Sequence, residues 1–161
     1  MKLLIVRHGI AMERDAYLAN DDVRPLSLDG IRKMKKNARG LASIVETPTF
    51  LATSPLTRAK QTAEILQGEW SDIHILDCDA LRPDTKPQPL ATWINDRLES
   101  GMEFVVITGH EPHLSQVIQW MTGGMVELKK GGACLIDFDD RIARHRGRIQ
   151  WLATPRFLRS L

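Results

Sequence analysis

Four short apolar runs recur along the chain: "KLLIVR" (2–7), "TFLATS" (49–54), "IHILDC" (73–78) and "EFVVITG" (103–109). Each has the length of a buried strand and is too short for a stable helix. Longer amphipathic segments separate them. In "SLDGIRKMKKNARGLASIV", Ile31, Met34, Ala38, Leu41, Ala42 and Val45 form one helical stripe, and lysines and arginines occupy the other face. Ser27 is a candidate cap for this helix, which Gly30 and Gly40 weaken. Ser54 followed by Pro55 predicts the start of a second helix, with the serine as its cap. "QPLATWINDRLES" predicts a third helix and "EPHLSQVIQWMTG" a fourth, ending at Gly123. Strands alternating with helices imply an α/β fold, a three-layer α/β/α sandwich with a mostly parallel central sheet. After Gly123 the pattern changes. "GGACLIDFDD" and "RGRIQWLA" predict a C-terminal antiparallel hairpin joined by a charged turn. Residues 11–26, rich in charge and holding Asn20 and Pro25, read as a long loop.

A length of 161 residues suits one compact domain over 1–161. With 43% hydrophobic residues the chain can bury a real core. A net charge of only +2 argues against a general nucleic-acid binder. The basic cluster "RIARHRGR" then reads as a solvated hairpin tip. Cys78 and Cys134 both sit in apolar stretches, so they read as core residues with no disulfide framework. Arg7 and His8 interrupt the first apolar run too early for a signal peptide. No segment approaches the roughly 18 apolar residues of a membrane span. A cytoplasmic protein, away from membranes, is expected.

Three strand ends carry the chemistry. The first ends in Arg7-His8-Gly9, the second in Ser54 with Arg58 one helical turn later, and the fourth in Gly109-His110-Glu111-Pro112. Parallel α/β sheets bind ligands at the carboxyl ends of their strands, so these clusters are expected to converge. Arginine forks match phosphate or carboxylate oxygens. Helix N-termini also favour anions, and histidine adds a nucleophile or proton carrier. The sum is a phosphate site with a reactive imidazole. Gly9, without a Cβ, is expected to let the chain turn and a phosphoryl group approach closely. His113 follows His110 at a spacing metal sites use, but no third ligand accompanies it. No metal and no cofactor are expected.

"LLIVRHG" resembles the N-terminal signature of the histidine phosphatase superfamily, whose broader membership includes the phosphoglycerate mutases. "TSPLTRAKQTAE" (53–64) and "ITGHEP" (107–112) are similar to its further motifs, in the same order. "VRPLSLDGIRK" (23–33) resembles the segment between the first motif and the first helix. A short chain without large insertions looks most like the SixA-type phosphohistidine phosphatases. The resemblance implies a phosphatase with His8 as nucleophile and a covalent phosphohistidine intermediate. Arg7 and Arg58 would hold the phosphoryl oxygens and His110, in cationic form, would bind the same group, with Gly9 and Ser54 as further phosphate contacts. Arg7 and Arg58 would keep His8 neutral by repelling a proton. The implied partner is a phosphorylated protein, a histidine phosphotransfer domain. Ala80 stands where many members carry an acid for the leaving group; Asp79, Asp84 and Glu111 are the nearby candidates. The alternatives are a phosphomonoesterase acting on a small metabolite and a non-catalytic phosphate-binding module. The absence of insertions predicts an open, shallow site.

Overall fold

The computed structural model describes residues 1–17, 20–98 and 104–161. Glu99 and Ser100 of the predicted third helix, and Glu103 at the start of the predicted fourth strand, lie outside them. Among the described residues six strands form one sheet: β1 (Lys2–Arg7), β2 (Phe50–Thr53), β3 (Ile75–Asp77), β4 (Phe104–Gly109), β5 (Ala133–Asp137) and β6 (Arg148–Ala153), in the order β3-β2-β4-β1-β5-β6. The strands β3, β2, β4 and β1 run parallel, whereas β5 is antiparallel to β1 and β6 to β5. The fold is the expected mixed α/β sandwich.

Two-residue alternation divides β1 between two cores. Leu3 and Ile5 join one cluster, Leu4 and Val6 the other, and all four are 0% exposed. Burial on both faces marks a central strand and stabilises it by about 1.5–3 kcal/mol per side chain. The helices are α1 (Leu28–Ile44), α2 (Thr57–Gln67), α3 (Pro87–Asn95), α4 (His113–Thr122) and the short α5 (Pro155–Leu158). Met34, Ala38 and Leu41 of α1, Ala63 and Leu66 of α2 and Leu158 of α5 cover the Leu4 face. Leu90 and Ile94 of α3, with Leu114, Val117, Ile118 and Met121 of α4, cover the Leu3 face. Cys78 and Cys134 are buried and free, and burial pushes their thiols up to about 11 and about 12.

Ser27 caps α1 by accepting the Gly30 N–H at 3.0 Å. The glycines that weaken this helix by propensity have a packing reason. A Cβ at Gly30 would collide with the Ile10 carbonyl, and one at Gly40 with the Leu158 carbonyl of α5. They are the price of two backbones packing against α1. The buried face is accordingly wider than the apolar stripe and includes Gly30, Asn37 and Gly40, whereas Ile31 and Ala42 are only half-buried.

Two local expectations are corrected. Helix α2 begins at Thr57 and its cap position is Leu56, so Ser54 is not its cap. The connection between β5 and β6 is more than a charged turn, because it buries Phe138 and Ile142 in the core. Helix α5 was not evident in the sequence.

Candidate active site

The register of the parallel strands brings the three predicted clusters together. Arg7 pairs with Gly109, and both Val6 and Thr53 pair with Thr108. The ladder runs one residue further, since the His8 N–H donates to the Gly109 carbonyl and the Ser54 N–H to the Thr108 carbonyl, each at 3.0 Å. His8, Ser54 and His110 therefore leave the sheet side by side. The His8 and His110 ring centroids are 5.1 Å apart. They stand in a pocket of about 380 Å³ whose walls also include Arg7, Arg58, Asp21, Glu111 and Lys130. His8 is 7% exposed and His110 2%, so the rings lie at the base of a recess rather than on an open, shallow surface. The charged segment after β1 raises one wall.

The His8 Nδ1 lies 2.7 Å from the Gly9 carbonyl, which can only accept. Nδ1 therefore carries the proton, and Nε2 is left with its lone pair free. Burial is the main reason the ring resists protonation and lowers its pKa to about 3; Arg58, Arg7 and Lys130 push the same way. The neutrality expected from the two arginines is thus chiefly a consequence of desolvation. Gly9 acts through its backbone: its carbonyl sets the His8 tautomer and its N–H donates to the Thr62 hydroxyl at 3.1 Å. A Cβ at Gly9 would meet Leu26 and Met34 at 3.4 Å, which is ordinary packing against the α1 side. Gly9 itself does not line the pocket.

Burial works against the cationic form expected of His110. Burial, then the charges of His8 and Arg58, depress its pKa to about 2. Its Nε2 is 2.8 Å from the Ser54 Oγ, and its buried Nδ1 has no partner. Ser54 already accepts the Leu56 N–H at 3.4 Å. Where its hydroxyl proton goes to Nε2, the ring proton lies on Nδ1. Ser54 does not line the pocket, and its hydroxyl contacts His110.

Arg7 donates from Nη1 to the Leu128 carbonyl at 2.7 Å. Arg58, only 4% exposed, donates to the Asp21 carbonyl at 2.8 Å and to its carboxylate at 3.1 Å. The Nε atoms of both arginines are buried without a partner. The His110 Nδ1 is buried in the same way. Arg7, Arg58 and His110 nevertheless all line the recess, so two guanidinium groups and an imidazole surround any oxyanion bound there.

None of the three predicted acids is free in the pocket. Asp79 is exposed and pairs with Arg82 at 3.2 Å, and Asp84 is exposed outside the pocket wall. Glu111 lines the pocket but accepts from the Ser115 hydroxyl at 2.8 Å and from the Leu128 N–H at 3.2 Å. It thereby holds the segment whose carbonyl holds Arg7. His113 is fully buried, with Nε2 3.2 Å from the Thr85 hydroxyl. Among the described residues no group of three or more His, Cys, Asp or Glu side chains is arranged to hold a metal. Among the described residues no helix is long and apolar enough to cross a membrane.

Sequence reasoning missed Glu13, Asp15, Asp21, Arg24 and Lys130, all in the wall. One signal for Lys130 was present: "KKGG" marks a turn just before β5. An antiparallel partner of β1 starts where β1 ends, so that turn had to lie at the binding edge.

The family model of the histidine phosphatase superfamily (branch 1) matches residues 3–82. An uncharacterized protein of Picosynechococcus sp. is 34% identical over 137 residues, 82% of each chain. Among solved structures, the protein histidine phosphatase SixA complexed with tungstate superposes with a TM-score of 0.83 at 23% identity, covering 96% of this chain and 97% of that one. A phosphoserine phosphatase mutant of Entamoeba histolytica in complex with phosphoserine gives a TM-score of 0.73 at 14% identity, with 98% of each chain covered.

Proposed function

The chain belongs to the histidine phosphatase superfamily, and on that premise we propose that it is a metal-independent phosphohistidine phosphatase acting on a phosphorylated protein of the histidine phosphotransfer type. The observation that carries the reading is the neutral His8, its Nδ1–H held by Gly9 and its Nε2 free, in a recess lined by Arg7, Arg58 and His110.

Nε2 of His8 attacks phosphorus and the P–N bond to the substrate imidazole breaks. The bonding pair leaves with that imidazole, whose other nitrogen already carries a proton at neutral pH. No separate acid is needed, in keeping with the engaged or distant Asp79, Asp84 and Glu111. Arg7, Arg58 and His110 stabilise the charge on the three phosphoryl oxygens. The Gly9 carbonyl accepts from the phosphorylated ring, which becomes cationic when Nε2 is substituted. Water then attacks phosphorus, inorganic phosphate leaves and His8 returns to its neutral form.

A second reading, a phosphomonoesterase for small molecules, has one observation in its favour. Glu13 and Asp15 line the pocket without a partner among the described residues, so two carboxyl groups are available beside the leaving group of an ester. Phosphate release from a phosphorylated histidine phosphotransfer domain, measured beside phosphoserine and a sugar phosphate, decides between the two. Preference for the phosphoprotein and loss of turnover in a folded His8→Ala variant are expected. Preference for an ester moves the assignment to the second reading, and full activity of His8→Ala removes the mechanism.

A further inference from the structure

We propose that Lys130 binds a second anionic group of the substrate, a carboxylate next to the phosphoryl group, and so sets which phosphorylated substrates the site prefers. This rests on the reading that the recess takes a phosphoryl group.

Five cations line the pocket, and four are engaged by the protein. Arg7 is held by the Leu128 carbonyl, Arg58 and Arg24 by Asp21, and Arg14 lies 3.5 Å from the same carboxylate. Lys130 alone has no ion-pair or hydrogen-bond partner among the described residues. Its neighbour Lys129 pairs with Glu127 at 2.9 Å, so a carboxylate is close in sequence and is taken by the other lysine.

The backbone under Lys130 is fixed to the reacting residues. The Gly131 N–H donates to both the Arg7 and His8 carbonyls at 3.1 Å, and the Gly131 carbonyl accepts from Asn37 at 3.0 Å. Gly131 has a φ of 78°, and a Cβ there would come within 2.5 Å of the Asn37 Nδ2, so the turn requires glycine. The lysine is thus mounted on a rigid turn with an exposed, free side chain. Its charge is among those acting on the His8 ring.

Lys130 also stands on the opposite side of β1 from Arg58. The arginine comes from the β2 side of the sheet and the lysine from the start of β5. The phosphoryl oxygens already have donors in Arg7, Arg58 and His110. A free, exposed ammonium at the rim therefore meets what is attached beside the phosphoryl group. A strongly hydrated point charge of this kind selects for an anion there. The carboxylate is either an acidic side chain flanking the phosphohistidine of a protein or the acid group of a small phosphoester.

The experiment compares Lys130→Ala and Lys130→Arg with the wild-type chain on two matched pairs of probes. One pair is a synthetic phosphohistidine peptide flanked by Glu and the same peptide flanked by Gln. The other is 3-phosphoglycerate and glycerol 3-phosphate. Binding is measured by calorimetry and turnover by phosphate release. In at least one pair, Lys130→Ala is expected to lower the preference for the carboxylate-bearing member about 5–10-fold through KM, with kcat unchanged and Lys130→Arg retaining most of the preference. A change confined to the peptides identifies a protein carboxylate, and one confined to the esters a metabolite. Equal losses for both members of each pair, or no change in either pair, overturn the proposal. Tungstate binding to the wild-type chain is the control: its absence removes the phosphoryl reading itself, whereas tungstate binding with unchanged preferences removes only Lys130.

Discussion

Replacing Ser54 by alanine tests whether His110 works as a neutral donor held in one tautomer. Ser54 is 0% exposed, and its Oγ lies 2.8 Å from the His110 Nε2. Truncation leaves a buried nitrogen and the Leu56 N–H without that oxygen. The expected stability loss is about 1–3 kcal/mol, the cost of an unsatisfied buried polar group. The larger effect is on rate. Removing one preorganised donor from a developing oxyanion costs about 10²–10³ in kcat. Here the donor is released rather than deleted, so a fall of about 10–100-fold in kcat is expected, with a smaller change in KM. A His110→Gln background separates this from general damage. If Ser54 acts only through His110, adding Ser54→Ala to His110→Gln costs little further kcat. The assay is steady-state phosphate release from the phosphohistidine peptide, with thermal melts of all four proteins. A folded Ser54→Ala variant with kcat within about twofold of wild type refutes the reasoning, as does a full additional loss in the double variant.

The buried neutral histidines also predict acid sensitivity. The unfolded chain takes up protons on these rings near pH 6.5, whereas the folded chain does so only near about 3 for His8 and about 2 for His110. Stability is therefore full above about pH 7 and falls as the pH drops below 6.5, by up to ~1.4 kcal/mol per pH unit for each ring. Urea melts from pH 7.5 to 4.5 check this, and a flat profile contradicts it. In the folded enzyme kcat should show no His8 titration near pH 6.5, because that ring is already neutral there. Gly40→Ala should cost about 1–3 kcal/mol, since a Cβ meets the Leu158 carbonyl. Gly68→Ala is its control, because the nearest atom to a Cβ there is at 3.5 Å. Melting temperatures report the difference, and equal melts for both variants refute the packing argument. Chelators should leave turnover unchanged; a loss restored by zinc contradicts charge stabilisation by arginine alone.

The sequence by itself determined the layers and the edge at which chemistry gathers. Strand-length apolar runs and helical stripes report local periodicity, and periodicity is set by residues a few positions apart. The clusters at 7–9, 54–58 and 109–111 were visible because each follows a strand directly. Only the tertiary structure decided what those side chains do. Ser54 looked like a helix cap because Pro55 follows it, yet its hydroxyl is used by His110, 56 residues away. Glu111 looked like a free acid, yet the Leu128 N–H and Ser115 claim it. His110 looked cationic beside a phosphate, but its burial, and then the neighbouring His8 and Arg58, lower its pKa. Asp21 carried no motif at all, and Lys130 only the turn that precedes β5. Hydrogen-bond partners and desolvation depend on the register between distant strands and on what covers their ends. Neither is encoded in the spacing of neighbouring residues.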